Sequence, residues 1–399
     1  MDDLESLNVA VVTETYPPEI NGVANTMRHL VAGLTDHGHR THLVRPRQGH
    51  RDPATRCTAS ETETLVPSLP IPGYRGLRFG LPVASRLTRL WREIQPDIAY
   101  IATEGPLGHA ALKAAQTLGI PAVTGFHTQF DQYSRHYGLG LLKRRIGRML
   151  TQFHNRSDAT LVPTAELLER LSAQGYRNLH LFGRGVDTRL FNPERRSAAL
   201  RAHWGCAPDA PVVLYVGRLA AEKNLDLALR TFEAIAAQEP SARFVLVGDG
   251  PGLERLRHDH PQYLFVGPKV GVDLAEHYAS GDLFLFPSLT ETFGNVVPEA
   301  MASGLAVVAF DYAAAHAYLR PWHNGVTVPS DDPDAFVATA LKLITARDRL
   351  LALGREARVT AADLDWDQVI RGVEKQLQNV IRRRRESEGR RETVVAATQ

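Results

Sequence analysis

Short apolar runs alternate with helix-length amphipathic stretches along almost the whole chain, and this alternation limits the fold more than any other feature. Asn8–Glu14 (NVAVVTE) reads as a buried strand. Over Val23–His37, the apolar residues Val23, Met27, Leu30, Val31 and Leu34 recur at helical spacing, and Gly38 ends the run. Further strands are expected at Asp97–Ala102, Ile120–Gly125, Ala159–Val162 and Asn178–Phe182, with helices at Leu107–Leu118 and Thr164–Gln174. A linker-like stretch, Gly183–Asp187 closing at Phe191-Asn192-Pro193, interrupts the pattern, which then restarts. Strands are expected at Pro211–Gly217, Arg243–Gly248, Tyr263–Val266, Asp282–Pro287 and Leu305–Phe310. The helices between them fall at Leu225–Ala237, Gly252–Arg257, Asp273–Ser280 and Val296–Ser303. Such alternation implies parallel sheets covered on both faces. Two runs with a break near residue 190 predict an α/β protein of two doubly wound domains, 1–190 and 191–365. Open sheets of this kind bind ligands at the carboxyl ends of their strands, so a cleft between two facing domains is the default active site.

Composition excludes several other classes. The 399 residues are 44% hydrophobic and 23% charged, ordinary globular usage rather than disordered or collagen-like. Cys57 and Cys206 form no CxxC pair, which excludes a disulfide framework and a cysteine-rich zinc site. A net charge of +2 does not indicate a nucleic-acid binder. The charge is uneven, however: residues 1–190 hold 22 Lys+Arg against 17 Asp+Glu, and residues 191–399 hold 24 against 27. The first half is thus the candidate for anionic surfaces. No run approaches the roughly 18 apolar residues of a membrane span. The acidic start Met1-Asp2-Asp3-Leu4-Glu5 is unlike a signal peptide. Together these predict a cytosolic chain that meets a membrane, if at all, peripherally on its inner face.

Five segments carry candidate chemistry. Glu291-Thr-Phe293-Gly294-Asn295-Val-Val-Pro-Glu299 follows an expected strand and opens a helix, whose N–H groups and partial positive charge suit a phosphate. Gly294 would let that backbone approach closely. Glu299 could accept two hydrogen bonds from a ribose diol, and Glu291 could hold hydroxyls beyond the phosphates; the plain alternative is two solvated carboxylates. Gly217-Arg218-Leu-Ala-Ala-Glu222-Lys223-Asn224 ends another strand, and the Arg218 fork with the compact Lys223 charge suits a diphosphate. Its alternative is a surface ion pair of Lys223 with Glu222 or Asp226. Asn21-Gly22 marks a turn at the first helix start. His127, in Gly125-Phe-His127-Thr-Gln-Phe130, stands at a strand end where it could bind a substrate hydroxyl or serve only structure. In Leu141–Leu150, the apolar residues Leu142, Ile146, Met149 and Leu150 fall near one helical face, with Lys143, Arg144, Arg145 and Arg148 around them. That pattern fits either an anionic membrane surface or an ordinary core-facing helix.

Three patterns mislead. Gly248-Asp249-Gly250-Pro251-Gly252 looks like a dinucleotide fingerprint, but its third glycine comes one position early. Asp363-Leu-Asp365-Trp-Asp367 has DxD spacing, yet lies at the start of the C-terminal helix, where capping is the plainer role. His258 and His260 beside Pro261 are weak metal evidence.

In this order, the Asn21-Gly22 loop, the His127 strand end, GRLAAEKN at 217–224, VGDGP at 247–251 and ETFGNVVPE at 291–299 with AMASG at 300–304 resemble retaining glycosyltransferase family 4. Of these, the last box is the most specific. The resemblance spans the chain to about residue 380. It implies the GT-B fold, with a C-terminal helix of about 366–381 crossing back to the first domain. The basic stretch 382–399, with Arg382–Arg385, reads on its composition as a disordered solvated tail, or else as a further contact to an anionic membrane. It also implies roles. Arg218 and Lys223 would bind the donor diphosphate, Glu299 the ribose, and Glu291 with the backbone of Phe293 and Gly294 the transferred sugar. His127 would contact that sugar from the other domain, Gly22 would lie beside the diphosphate, and Gly248 and Gly250 would shape the nucleoside pocket. The implied partners are a nucleoside diphosphate hexose, of GDP-mannose or UDP-hexose type, and a lipid or glycan acceptor, with no metal or other cofactor and no nucleic acid. Asn295 and Pro298 occupy variable slots, and Lys269 near the expected nucleobase loop leaves base choice open. The competing readings are an inactive sugar-nucleotide-binding module and an NAD-dependent oxidoreductase.

Overall fold

A computed structural model describes residues 5–49, 52, 58–70, 78–127 and 140–397, with only the backbone described for 140–144 and 391–397. The chain divides into Met1–Gly183 with Asp367–Gln399 as one unit and Arg184–Trp366 as the other. The linker-like residues up to 190 belong to the second unit for a physical reason. Val186 donates its N–H to Leu364 O (2.8 Å), and Val186 and Phe191 are buried in that unit's core.

The first unit carries β1 (Asn8–Val12), β2 (Arg40–Pro46), β3 (Glu61–Val66), the hairpin β4 (Ser68–Pro70) and β5 (Arg78–Gly80), then β6 (Ile98–Ile101), β7 (Ala122–Gly125), β8 (Ala159–Val162) and β9 (Leu179–Leu181). Seven of these form a parallel sheet in the order β3-β2-β1-β6-β7-β8-β9. The chain builds outward from β1 to β3, then returns to the other side of β1. The strand order therefore reverses between β1 and β6. The second unit repeats the scheme with β10 (Val212–Val216), β11 (Arg243–Val247), β12 (Leu264–Gly267), β13 (Leu283–Phe286), β14 (Ala306–Phe310) and β15 (Val326–Val328). Its order is β12-β11-β10-β13-β14-β15, with the reversal between β10 and β13.

One device sets register at both reversals. Asp97, just before β6, donates its N–H to Asn8 O (2.8 Å) and accepts Asn8 N–H on its carboxylate (2.7 Å). Asp282, just before β13, does the same with Val212 (2.8 Å) and also accepts from the buried Arg201 (3.1 Å). A carboxylate before each strand thus satisfies the N–H that the neighbouring strand start would leave unpaired. It fixes at the amino end which residues emerge at the carboxyl end.

The helix Trp366–Ala397 packs on the first unit through Ile370, Val373, Leu377, Val380 and Ile381, a buried stripe at helical spacing. The sequence suggested a disordered tail from 382. Instead the helix continues, with Arg384 pairing to Asp158 (3.2 Å) and Glu388 (3.1 Å).

Candidate functional site

In the second unit, the loops leaving β10 and β13 flank the reversal. Lys223, from the first loop, donates to the Glu291 carboxylate and to Thr290 O (3.3 Å) of the second. Ser288 donates its hydroxyl to the same Glu291 oxygen (2.8 Å), and Tyr312 donates to the Glu291 main-chain carbonyl (2.6 Å). The Lys223 and Glu291 side chains keep 12% and 14% exposure. Lys223 is therefore not the surface partner of Glu222; that carboxylate, almost fully buried, faces Arg218 Nη1 at 3.4 Å. Two cations and two carboxylates interlock across the reversal, where an anionic ligand could draw on Arg218 and Lys223 together.

Around this centre the backbone is held by close approaches. Gly248 has φ +141°, and a Cβ there would fall 1.9 Å from Gly217 O. A Cβ on Gly250 would fall 2.4 Å from Leu219 O. Leu219 N–H donates to Asp249 O, and Gly252 N–H to Leu219 O (both 2.9 Å), so the glycine loop buttresses the Arg218 loop. This loop leaves β11, one strand away from the reversal, which is the wrong strand for a dinucleotide fingerprint. Gly294 has φ +92° and sits against the Phe286 ring, while buried Phe293 accepts Ala314 N–H on its carbonyl (2.8 Å). Glu299, on the helix Val296–Ala302, accepts the Tyr278 hydroxyl (3.0 Å). Burial pushes the Glu299 carboxyl up to about 7, against the opposing pull of that bond.

In the first unit, Asn21 caps the helix Gly22–Asp36 by accepting Ala24 N–H (2.8 Å), and Gly22 is exposed at its first position. His127 is buried beyond the end of β7, with Nε2 2.9 Å from the Tyr100 hydroxyl. Thr128–Phe130 lie outside the described residues. Two acids that the sequence reading did not single out stand at the β1–β6 reversal. Glu14 accepts from Gly80 N–H and Leu107 N–H (2.9 Å), and so caps the helix Pro106–Leu118, whose own cap residue is Gly105. Burial pushes Glu14 up to about 7. Glu104 is buried, and burial pushes its carboxyl up to about 8. Their signal was available, since each closes an apolar strand run (NVAVVTE, IAYIATE) at the ligand-binding end.

On the helix Gly140–Asn155, Arg145, Arg148 and Met149 are exposed, whereas Ile146 and Leu150 face the core. Met149 thus leaves the expected apolar face; the side chains of Lys143 and Arg144 lie outside the described residues, as does Cys57. A cavity of about 450 Å³ beside Arg148 and Arg170 is floored by Phe126, Leu150, Leu167 and Tyr176. The DxD spacing has a structural use: Asp363 ends the helix Arg347–Ala362, and Asp367 pairs with His37 and Arg371.

Comparison with known proteins gives these features a context. The family model described as Glycosyltransferase Family 4 matches residues 20–190, and that described as Glycosyl transferases group 1 matches residues 210–346. A GDP-mannose-dependent alpha-mannosyltransferase of Mycobacterium tuberculosis is 35% identical over 325 residues, covering 81% of this chain and 84% of that protein. The sulfoquinovosyl transferase of Arabidopsis thaliana is 31% identical, covering 91% of this chain and 72% of that protein. Among solved structures, a sucrose-phosphate synthase from Thermosynechococcus elongatus aligns with TM-score 0.77 at 18% identity, covering 93% of this chain and 98% of that one. With the fold shared and the sequence related over most of its length, the chain belongs to glycosyltransferase family 4, and its units are the two Rossmann-like domains of the GT-B class.

Proposed function

We propose that the chain is a retaining hexosyltransferase that moves a mannose- or glucose-type sugar from a nucleoside diphosphate to a lipid or glycan acceptor. The observation that carries this reading is the Lys223–Glu291 pair spanning the β10–β13 reversal, with Arg218 beside it. A diphosphate bound there draws Arg218 and Lys223, which offset the charge that develops on the leaving group. Glu291 is then available to orient sugar hydroxyls, and Glu299 takes the ribose. Gly294 and Phe293 shape the loop, and Gly248 and Gly250 brace it. The reading calls for no metal or other cofactor and no nucleic acid. No enzymic nucleophile stands out among these residues, which favours front-face displacement assisted by the leaving phosphate. GDP-mannose is the first donor to test, since the mycobacterial relative is named for it. UDP-glucose is the second, since a relative in Acholeplasma laidlawii, 26% identical over 345 residues, is an alpha-monoglucosyldiacylglycerol synthase.

The first unit serves the acceptor in this proposal, with His127 at the end of β7 turned to the transferred sugar and Gly22 at the first helix start to the donor diphosphate. Among the described residues no helix is long and apolar enough to cross a membrane. Contact with an anionic inner leaflet would instead use the exposed Arg145, Arg148 and Met149, together with the cavity beside Arg148.

The test is a donor panel assayed against a membrane lipid extract, with product masses read out. Lys223→Ala and Glu291→Ala are each expected to lower transfer by about 100-fold or more with the fold intact. Full activity in both variants overturns the donor site. Stabilisation by NAD alone, rather than by GDP or UDP, would favour the oxidoreductase reading. Binding of donor without transfer or hydrolysis would favour the inactive module. Failure to co-sediment with phosphatidylglycerol vesicles at low salt removes the membrane contact.

A further inference from the structure

The β1–β6 reversal holds a carboxyl group that the fold leaves without a partner among the described residues. Glu104 is 4% exposed, and neither of its oxygens has a hydrogen-bond partner in another residue. Its own main-chain N–H is the one donor beside it among the described residues. Unpaired buried polar groups are costly, and native proteins rarely keep one without a use.

Its surroundings are built, not loose. Ala102 N–H donates to Val12 O (2.8 Å), and Glu14 N–H donates to the Thr103 hydroxyl (2.9 Å). A Cβ on Gly108 would fall 1.8 Å from Thr103 O, so the following helix is pressed against the turn that carries Glu104. Glu14, the neighbouring acid, is already committed to Gly80 and Leu107. The Tyr100–His127 pair is carried by β6 itself and by the end of the adjacent β7. Glu104 thus stands on a rigid turn at the carboxyl edge of the sheet, beside the strand-order reversal, where open α/β sheets bind their ligands.

We propose that Glu104 binds a hydroxyl group of an uncharged polyol, the acceptor moiety of the transfer proposed above, on which this step rests. A protonated carboxyl offers one donor and one acceptor, and a hydroxyl needs both. Burial raises the acid to about 8, which favours its protonated form at neutral pH. An anionic group placed here would face Glu14 close by, which opposes a further negative charge.

The experiment uses the full chain labelled with glutamate carrying carbon-13 at Cδ, the Glu104 signal being the one lost in Glu104→Gln. Glycerol and methyl α-D-glucopyranoside are the probes. The Glu104 signal is expected to shift saturably with each probe while staying at its protonated position. Glu104→Gln, which keeps one donor and one acceptor group, holds the probe affinity within about threefold, whereas Glu104→Leu weakens it tenfold or more. GDP binding stays unchanged in both variants. In the transfer assay the acceptor KM rises in Glu104→Leu while the donor KM does not. An unperturbed signal at the highest probe concentration overturns the proposal, and so does probe binding in Glu104→Leu equal to that of the parent. A bound signal at the ionised position, the mark of a cationic ligand, also overturns it. Should Glu104→Leu fail to fold, the parent signal and Glu104→Gln still decide. A parent chain that binds the polyol but no nucleotide refutes the transferase reading and leaves this site standing.

Discussion

His37 is expected to govern how firmly the C-terminal helix is held, and its geometry sets both the sign and the size of the effect. Nδ1 lies 2.6 Å from Glu374 Oε1, and Nε2 lies 2.7 Å from Asp367 Oδ1. A neutral imidazole can donate from one nitrogen only, so two carboxylate partners call for the imidazolium. Burial pulls the His37 pKa down, but the two carboxylates outweigh it and hold it above its ordinary value. His39 completes the clasp. Its Nδ1 accepts Leu7 N–H (3.0 Å), which places its proton on Nε2, 3.1 Å from Glu374. Glu374 is 1% exposed and its Oε2 has no partner among the described residues, so it depends on these two histidines.

In His37→Ala, the buried Glu374 carboxylate keeps only His39. Breaking a buried pair outright costs about 3–5 kcal/mol, and a hydrogen bond to a charged group contributes about 1.5–3 kcal/mol. The surviving His39 bond puts the expected loss at about 2–3 kcal/mol. Asp367, 45% exposed, adds less than about 1 kcal/mol. For a unit of this size that corresponds to a fall in melting temperature of roughly 5–10 °C. The pH dependence has a definite sign. A histidine raised on folding stabilises fully below its unfolded pKa near 6.5, and the contribution is lost as pH rises through the folded value. Hydrogen exchange of the amides in 366–381, with calorimetry of the same samples, checks both points. In the parent chain, protection of this helix should weaken from pH 6.5 upward, after correction for intrinsic exchange, and His37→Ala should show no such slope. A loss below about 0.5 kcal/mol, or equal slopes in the two proteins, refutes the clasp.

Gly33→Ala should loosen the same helix by a different route, because a Cβ there would fall 2.6 Å from Ile370 Cγ1. The expected cost is about 1–3 kcal/mol, measured by the same exchange experiment, and an unchanged protection pattern would contradict it. In the second unit, GDP affinity measured by calorimetry should rise as pH passes upward through about 7, where Glu299 ionises and can accept both ribose hydroxyls. Glu299→Gln should flatten that profile relative to the parent; identical profiles would remove Glu299 from the ribose site.

Legibility in the sequence followed burial. Strands buried on both faces, such as β1, β10 and β13, are unbroken apolar runs and were found to within a residue or two at most ends. β2 and β3 were not. β3 (ETETLV) is the sheet's edge and keeps polar residues along a half-exposed strand, so it carries no apolar run to notice. The helix Ala84–Ile94 was also passed over, though Leu87 and Trp91 bury one face while Arg86, Arg89 and Arg92 expose the other. In the second unit, motif residues with unusual backbone needs, Gly248 and Gly294, could be read because few residue types meet those needs. The partners of Lys223 could not, since 68 positions separate it from Glu291 and only the strand order brings their loops together.

The charge imbalance between the halves of the chain also takes on a different meaning once the residues are placed. A first half with 22 Lys+Arg against 17 Asp+Glu suggests the half that meets anionic surfaces, while its strand-order reversal holds two carboxyl groups, Glu14 and Glu104. The excess of arginine lies elsewhere in the unit, on exposed faces at Arg86, Arg89 and Arg92 and at Arg145 and Arg148. The acidic second half shows the converse, with Arg218 and Lys223 concentrated at its reversal. Net charge acts over roughly a Debye length and can steer a domain toward an anionic surface. Recognition at a strand end is instead set by groups within hydrogen-bond reach, which net charge does not reveal: Arg218 and Lys223 interlock with Glu222 and Glu291 in the second unit, and burial raises the two acids of the first. For an acceptor embedded in an anionic membrane this separates two tasks. The arginine faces would meet lipid phosphates in a salt-dependent way, while the contact proposed for Glu104 would be with an uncharged hydroxyl and indifferent to salt.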